Sequence, residues 1–267
     1  QKTMQDQASQ LRKLVSQDDR RDSTKESPRR IVLVGAKGGV GTTTIGINLA
    51  IALQSLDHQV MLIDAAPAGG DVAAFCDVVS ERGLEDILQS RCDWNAAAIT
   101  GPTDISLVVQ QEDGGANEHR TKQLMRKLDS GLGRYDFIVV DAGAGKQCTE
   151  ALVRQSDLCL LLSSHDHVSM KRSYSLMRQL WQTNGVTPRL LINGVQDLSV
   201  AHDMIGRLTT STKRILGFDL ETFLVNTDPL LASNLQINRP ALCVDANAVV
   251  SQQLMRLTEQ LIRCRER

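Results

Sequence analysis

Gly35-Ala36-Lys37-Gly38-Gly39-Val40-Gly41-Thr42-Thr43-Thr44 stands between an apolar, β-branched run, Ile31-Val32-Leu33-Val34, and a stretch in which Ile45, Leu49 and Leu53 recur at helical spacing. A strand, a glycine-rich turn and a helix N-terminus in that order make a cradle for phosphate. Glycines let backbone N–H groups curl around the anion, and the helix end adds positive potential. The pattern for such a P-loop is G-x-x-x-x-G-K-[ST], and two positions depart from it: Ala36 stands at the first glycine and Thr42 at the lysine. The side chain expected to touch the transferred phosphate is therefore an uncharged threonine.

Outward from the loop, short apolar runs alternate with helix-spaced segments from Arg30 onward, the signature of a parallel sheet with crossover helices. Strands are expected over Ile31–Gly35, Gln59–Asp64, Ser106–Gln110, Phe137–Asp141, Leu158–Ser163, Arg189–Asn193 and, more weakly patterned, Thr222–Asn226. Helices are expected over Thr42–Gln54, Asn117–Ser130, Gln147–Gln155, Val168–Thr183, Val200–Ile215 and Ala248–Arg265. In such sheets ligands bind beyond the carboxyl ends of the strands, where the loop also lies. Two strands end there in carboxylates, Asp64 and Asp141. An aspartate closing a doubly buried apolar strand is placed to hold a hydrated magnesium ion, and the alternative use of either residue is as a helix N-cap.

The early lysine, Lys37, resembles that of the deviant P-loop in the MinD/ParA group of dimeric ATPases. Asp141-Ala142-Gly143-Ala144-Gly145 is similar to the D-x-G-A-G switch loop of the same group. The resemblance implies an α/β fold of the P-loop NTPase type, a mostly parallel twisted sheet with helices on both faces, a homodimer, and ATP or ADP with Mg2+ as ligands. It implies that Lys37 reaches across the dimer to the partner's nucleotide. Gly38, Gly39, Val40, Gly41, Thr42, Thr43 and Thr44 would hold the nucleotide, with Thr43 and Asp141 at the magnesium. Asp64 is the first aspartate of the group's D-x-D, whereas Ala66 stands where the second should lie near the attacking water. Asn193, at a strand end, would contact the base, with Asn226-Thr227-Asp228-Pro229 flanking it; a plain turn role for Asn193 is equally open.

Both departures bear on hydrolysis. A charge-assisted hydrogen bond is worth roughly 1.5 to 3 kcal/mol, so losing the lysine weakens phosphate binding by about 10- to 100-fold without erasing it. The same charge stabilises the transferred group in the transition state, and Ala66 offers no carboxylate to orient water. Hydrolysis is expected to be slow or absent, unless Lys37 or Lys146 compensates.

Ahead of the loop, Met4, Ala8, Leu11 and Val15 form a narrow apolar stripe on a short helical segment, residues 1–16, followed by a polar tether, residues 17–29, and the domain proper, residues 30–267. Asp6-Gln7-Ala8-Ser9-Gln10-Leu11-Arg12 matches the D-Q-A-x-x-L-R peptide of the FlhG (YlxH, FleN) family, MinD-like regulators of flagellar number and placement. Gly83-Leu84-Glu85-Asp86-Ile87-Leu88 and Leu216-Gly217-Phe218 extend the likeness. The resemblance implies that Asp6, Gln7, Ala8, Leu11 and Arg12 contact a FlhF-like GTPase and activate it. A rival resemblance, to the pilus-assembly CpaE/TadZ scaffolds, fits the missing lysine, but those carry a receiver-like domain where this chain has a short tethered segment.

Composition narrows the partners. With 30 basic against 31 acidic residues in 267, the chain has no footprint for DNA. Cys76, Cys92, Cys148, Cys159, Cys243 and Cys264 lack C-x-x-C spacing, which reads as reduced thiols and gives no cluster ligands. No apolar run approaches the ~20 residues that span a bilayer. The polar start at Gln1 is unlike a signal peptide and suggests a trimmed chain. A cytoplasmic location follows as the expectation. The last helix carries Val250, Leu254, Leu257 and Leu261 on one stripe beside several arginines; the stripe can pack on the sheet or lie peripherally on the inner membrane, but not both at once.

Overall fold

The computed structural model describes residues 27–67, 71–111, 118–144, 149–228 and 239–263. The Asp6–Arg12 peptide and Lys146 lie outside the described residues. Eight strands form one sheet in the order β3-β4-β2-β5-β1-β6-β7-β8. They are β1 (Arg29–Gly35), β2 (Val60–Asp64), β3 (Ile99–Thr100), β4 (Ser106–Val108), β5 (Phe137–Ala144), β6 (Leu158–Ser164), β7 (Arg189–Val195) and β8 (Thr222–Asn226). Every neighbouring pair is parallel except β3 with β4.

The central strands are apolar on both sides because both faces of the sheet are covered. Side chains alternate between two cores. Val32, Val34, Ile138, Val140 and Leu161 face one, and Ile31, Leu33, Val139, Leu160 and Leu162 face the other. The second face carries α1 (Thr42–Ser55), which buries every residue from Ile45 to Leu53. Short α2 (Asp71–Cys76) and α9 (Ala241–Val244) and the terminal α10 (Val249–Arg263) lie on the same side. The first face carries α3 (Leu84–Leu88), α4 (Trp94–Ala97), α5 (Glu118–Leu128), α6 (Thr149–Arg154), α7 (His167–Asn184) and α8 (Leu198–Ser211).

Differences from the sequence reading have local causes. The strand expected over Ser106–Gln110 stops at Val108, because the Val109 carbonyl accepts the Leu84 N–H at 2.9 Å instead of a ladder bond. The helix expected over Val200–Ile215 starts two residues earlier. The Asp197 carboxylate accepts from the N–H groups of Ser199 and Val200 at 2.8 and 3.2 Å, a side-chain N-cap. It then widens into a π-turn over Thr212–Leu216 that closes at Gly217 in the left-handed region.

The two uses left open for the last helix are resolved by packing. Val250, Leu254, Leu257 and Leu261 are buried in the second core, and the Arg29 guanidinium donates to the Leu261 carbonyl at 2.5 Å. The stripe is spent inside the fold, the first of those two uses. Among the described residues no helix is long and apolar enough to cross a membrane.

Candidate functional site

The sheet changes direction at β1, which sits between β5 and β6. Such a reversal opens a crevice at the carboxyl ends of the strands, and the glycine-rich loop leaves β1 at that point. Gly41 is the N-cap of α1 with φ 91°, in the left-handed region. A Cβ there would also lie 2.5 Å from the Asn193 amide nitrogen. Glycine is thus required twice over, by its backbone angle and by a close approach. Around Gly38 and Gly39 the space a Cβ would enter is open, as a loop facing a ligand requires.

Register aligns the acidic residues. Asp64 of β2 pairs with Asp141 of β5, so the two carboxylates sit at the same height on neighbouring strands, and both are buried. The Thr43 hydroxyl donates to Asp141 Oδ2 at 2.6 Å, and the Gly143 N–H donates to Asp141 Oδ1 at 2.9 Å. The Ala66 N–H donates to Asp64 Oδ1 at 3.2 Å. A Cβ on Gly143 would come within 2.9 Å of the Ala66 Cβ, so position 66 faces the carboxyl end of β5.

Lys37 is held within its own chain. Its ammonium donates to Asp166 Oδ2 at 2.6 Å. Asp166 also accepts from the Ser164 hydroxyl at 2.6 Å and, as the N-cap of α7, from the Ser169 N–H at 2.9 Å. The Lys37 hydrogen bond first, then that from Ser164, holds the Asp166 carboxyl well below the usual carboxylate range despite some desolvation. It therefore stays charged throughout neutral and mildly acidic pH, and protonation does not release the lysine there. Sequence reasoning missed Asp166. An aspartate just ahead of a helical pattern was the available signal for its capping role, but nothing in the sequence tied it to a lysine 129 positions away.

Arg120 was missed as well. It is buried, ion-paired to Glu85 at 2.5 Å, and its guanidinium donates to the Ala65 carbonyl at 3.3 Å and to Gln110. It thereby supports the backbone that follows Asp64.

Asn193 closes one side of the loop, its amide donating to the Val40 carbonyl at 3.0 Å. It borders a cavity of ≈ 260 Å3 together with Gly41, Thr44, Asn226, Thr227 and Arg239. This brings the two segments expected around a base, Asn193 and Asn226–Asp228, to the same pocket. A cavity of ≈ 570 Å3 between α7 and α8 shares no residue with the loop.

Together the loop, the helix end and the Thr43–Asp141 pair suit a phosphate chain with a hard cation. Oxygen donors are what magnesium takes. Among the described residues no group of three or more His, Cys, Asp or Glu side chains could hold a metal by itself. A magnesium ion here would take the rest of its coordination from phosphate oxygens and water.

Comparison with known proteins bears on the family and the fold. The family model described as cellulose biosynthesis protein BcsQ matches residues 29–261. The antiactivator FleN of Pseudomonas aeruginosa is 28% identical over 197 residues, covering 72% of this chain and 70% of FleN. BcsQ of Escherichia coli is 25% identical over 239 residues, covering 84% of this chain and 90% of that protein. In fold, the cell division ATPase MinD of Pyrococcus furiosus superposes with a TM-score of 0.73 at 18% identity, over 88% of this chain and 99% of MinD. MinD of Pyrococcus horikoshii, solved with Mg-ADP, gives 0.72 at 18% identity over 88% and 96%. The chain therefore belongs to the cellulose biosynthesis protein BcsQ family, within the MinD/ParA type of P-loop protein.

Proposed function

We propose that this chain is a FlhG-like regulator of flagellar number and placement, a nucleotide-responsive homodimer that activates a FlhF-like GTPase through residues 1–16. The observation that carries this reading is the Asp6–Arg12 peptide placed ahead of a domain similar to FleN. In this reading Gly38 to Thr44 wrap the phosphates of ATP or ADP, Thr43 and Asp141 stand at the magnesium, and Asn193 borders the base. Asp64 lies beside the terminal phosphate. Magnesium would supply charge neutralisation at the phosphates.

Lys37 takes its cross-dimer role only after leaving Asp166. Both partners are substantially exposed, at 29% and 45%. Such a pair is worth at most about 1 kcal/mol, so a bound triphosphate can compete for the lysine. Thr42 and Ala66 keep hydrolysis slow or absent, and the activator peptide is independent of both. A second reading, a role in cellulose biosynthesis, is favoured by the extent of the family match.

A peptide of residues 1–20 added to FlhF is expected to raise its rate of GTP hydrolysis several-fold. The same peptide carrying Gln7→Ala is expected to lose most of that effect. An unstimulated FlhF would remove the flagellar reading and leave the second one standing.

A further inference from the structure

We propose that Arg172 supplies the cationic contact to the terminal phosphate of a bound nucleoside triphosphate, the position vacated by the lysine that Thr42 replaces. This rests on the nucleotide-binding reading above and goes beyond it by assigning the end of the phosphate chain to a residue on α7.

The loop has a cavity on each flank. The one beside Asn193 is bordered by the later part of the loop and the start of α1, at Gly39, Gly41 and Thr44. The other, ≈ 420 Å3, is bordered by the early part, Gly35 to Gly38, by Ala144 at the end of β5, and by Arg172 and Ser175. A nucleotide whose base lies in the first cavity runs its phosphates along the loop toward the second, so the group facing Arg172 is the phosphate farthest from the base. Arg172 and Ser175 are three residues apart on α7 and share a face, which places a guanidinium and a hydroxyl on one wall.

Charge points the same way. Of the cations bordering that cavity, Lys37 is paired with Asp166 at 2.6 Å and, once released, is directed to the partner's nucleotide rather than to its own. Arg172 is exposed and forms no ion pair among the described residues. A guanidinium presents a planar fork of donors matched to phosphate oxygens. It can serve a terminal phosphate from a different direction than a lysine rooted at position 42. Because Arg172 is exposed on a helix whose other face carries the packing, it can be changed without disturbing the core.

The test uses the full chain and measures the dissociation constants of a non-hydrolysable ATP analogue and of ADP, each with magnesium. Arg172→Ala is expected to weaken the triphosphate by about 10- to 100-fold while leaving ADP within about twofold. Arg172→Lys should recover part of the loss, since it restores charge without the fork. Equal weakening of both nucleotides, or an unchanged triphosphate affinity, would overturn the assignment while leaving nucleotide binding intact. Failure of the unmodified chain to bind either nucleotide would overturn the nucleotide reading and Arg172's role with it.

Discussion

Thr42→Lys is expected to tighten binding of a magnesium-bound ATP analogue by about 10- to 100-fold, the worth of a charge-assisted contact to phosphate. Thr42 is the first residue of α1, directly after Gly41. A lysine there starts from the helix N-terminus that already favours an anion. The gain should appear in affinity and much less in turnover, because Ala66 still leaves water without a carboxylate. Adding Ala66→Asp should then raise the hydrolysis rate. Position 66 faces Gly143, where an added Cβ would lie only 2.9 Å from that of Ala66, so the glycine is what leaves room for a larger residue at 66. Titration of a fluorescent analogue, followed by phosphate release, separates the two effects. An affinity unchanged by Thr42→Lys both in the unmodified chain and in the Arg172→Ala background would mean that the loop does not carry phosphate.

Asp141→Asn is expected to abolish most of the magnesium-dependent part of nucleotide affinity while leaving magnesium-free binding nearly unchanged. Asp141 is fully buried and accepts from both Thr43 and Gly143. An asparagine of the same shape can accept with only one of its two terminal atoms. With that oxygen on the Gly143 N–H, the amide NH2 faces Thr43 and the hydroxyl must change from donor to acceptor, and the local negative charge that favours a divalent cation is gone. The affinity loss in magnesium should reach about 10- to 100-fold, accompanied by roughly 1 kcal/mol of lost stability from the replaced charge-assisted hydrogen bond. Titrations with magnesium and with chelator, alongside a thermal melt, read both. Equal losses under the two conditions would show that Asp141 acts on the fold alone.

Much of the fold was legible because its signals are local and repetitive. The β-branched run Ile31–Val34, the glycines after it and the helical spacing of Ile45, Leu49 and Leu53 each point to the same strand-loop-helix unit. The antiparallel strand β3 was not legible. Its two residues have no periodicity, and they pair with β4 only because the chain reverses through Pro102–Asp104, with Thr103 and Asp104 at positive φ. For α10 the amphipathic stripe was plain but its destination was not, since a membrane and a sheet ask for the same pattern.

Within the site, residues on the loop and at strand ends could be found by motif and position. Asp166, Arg120 and Arg172 could not, because their relation to the loop exists only after α5 and α7 fold against the sheet. Asn193 falls between these cases. Its place at the end of an apolar strand suggested a ligand contact or a turn, and in the fold it borders the cavity while bonding the loop carbonyl of Val40.

The proposed switch is a nucleotide-controlled dimer in which Lys37 exchanges Asp166 for the partner's phosphates. Sedimentation of the unmodified chain with and without a magnesium-bound ATP analogue tests it most directly. The predicted result is a shift from monomer to dimer that requires both nucleotide and magnesium; sedimentation that does not change at saturating nucleotide would contradict it.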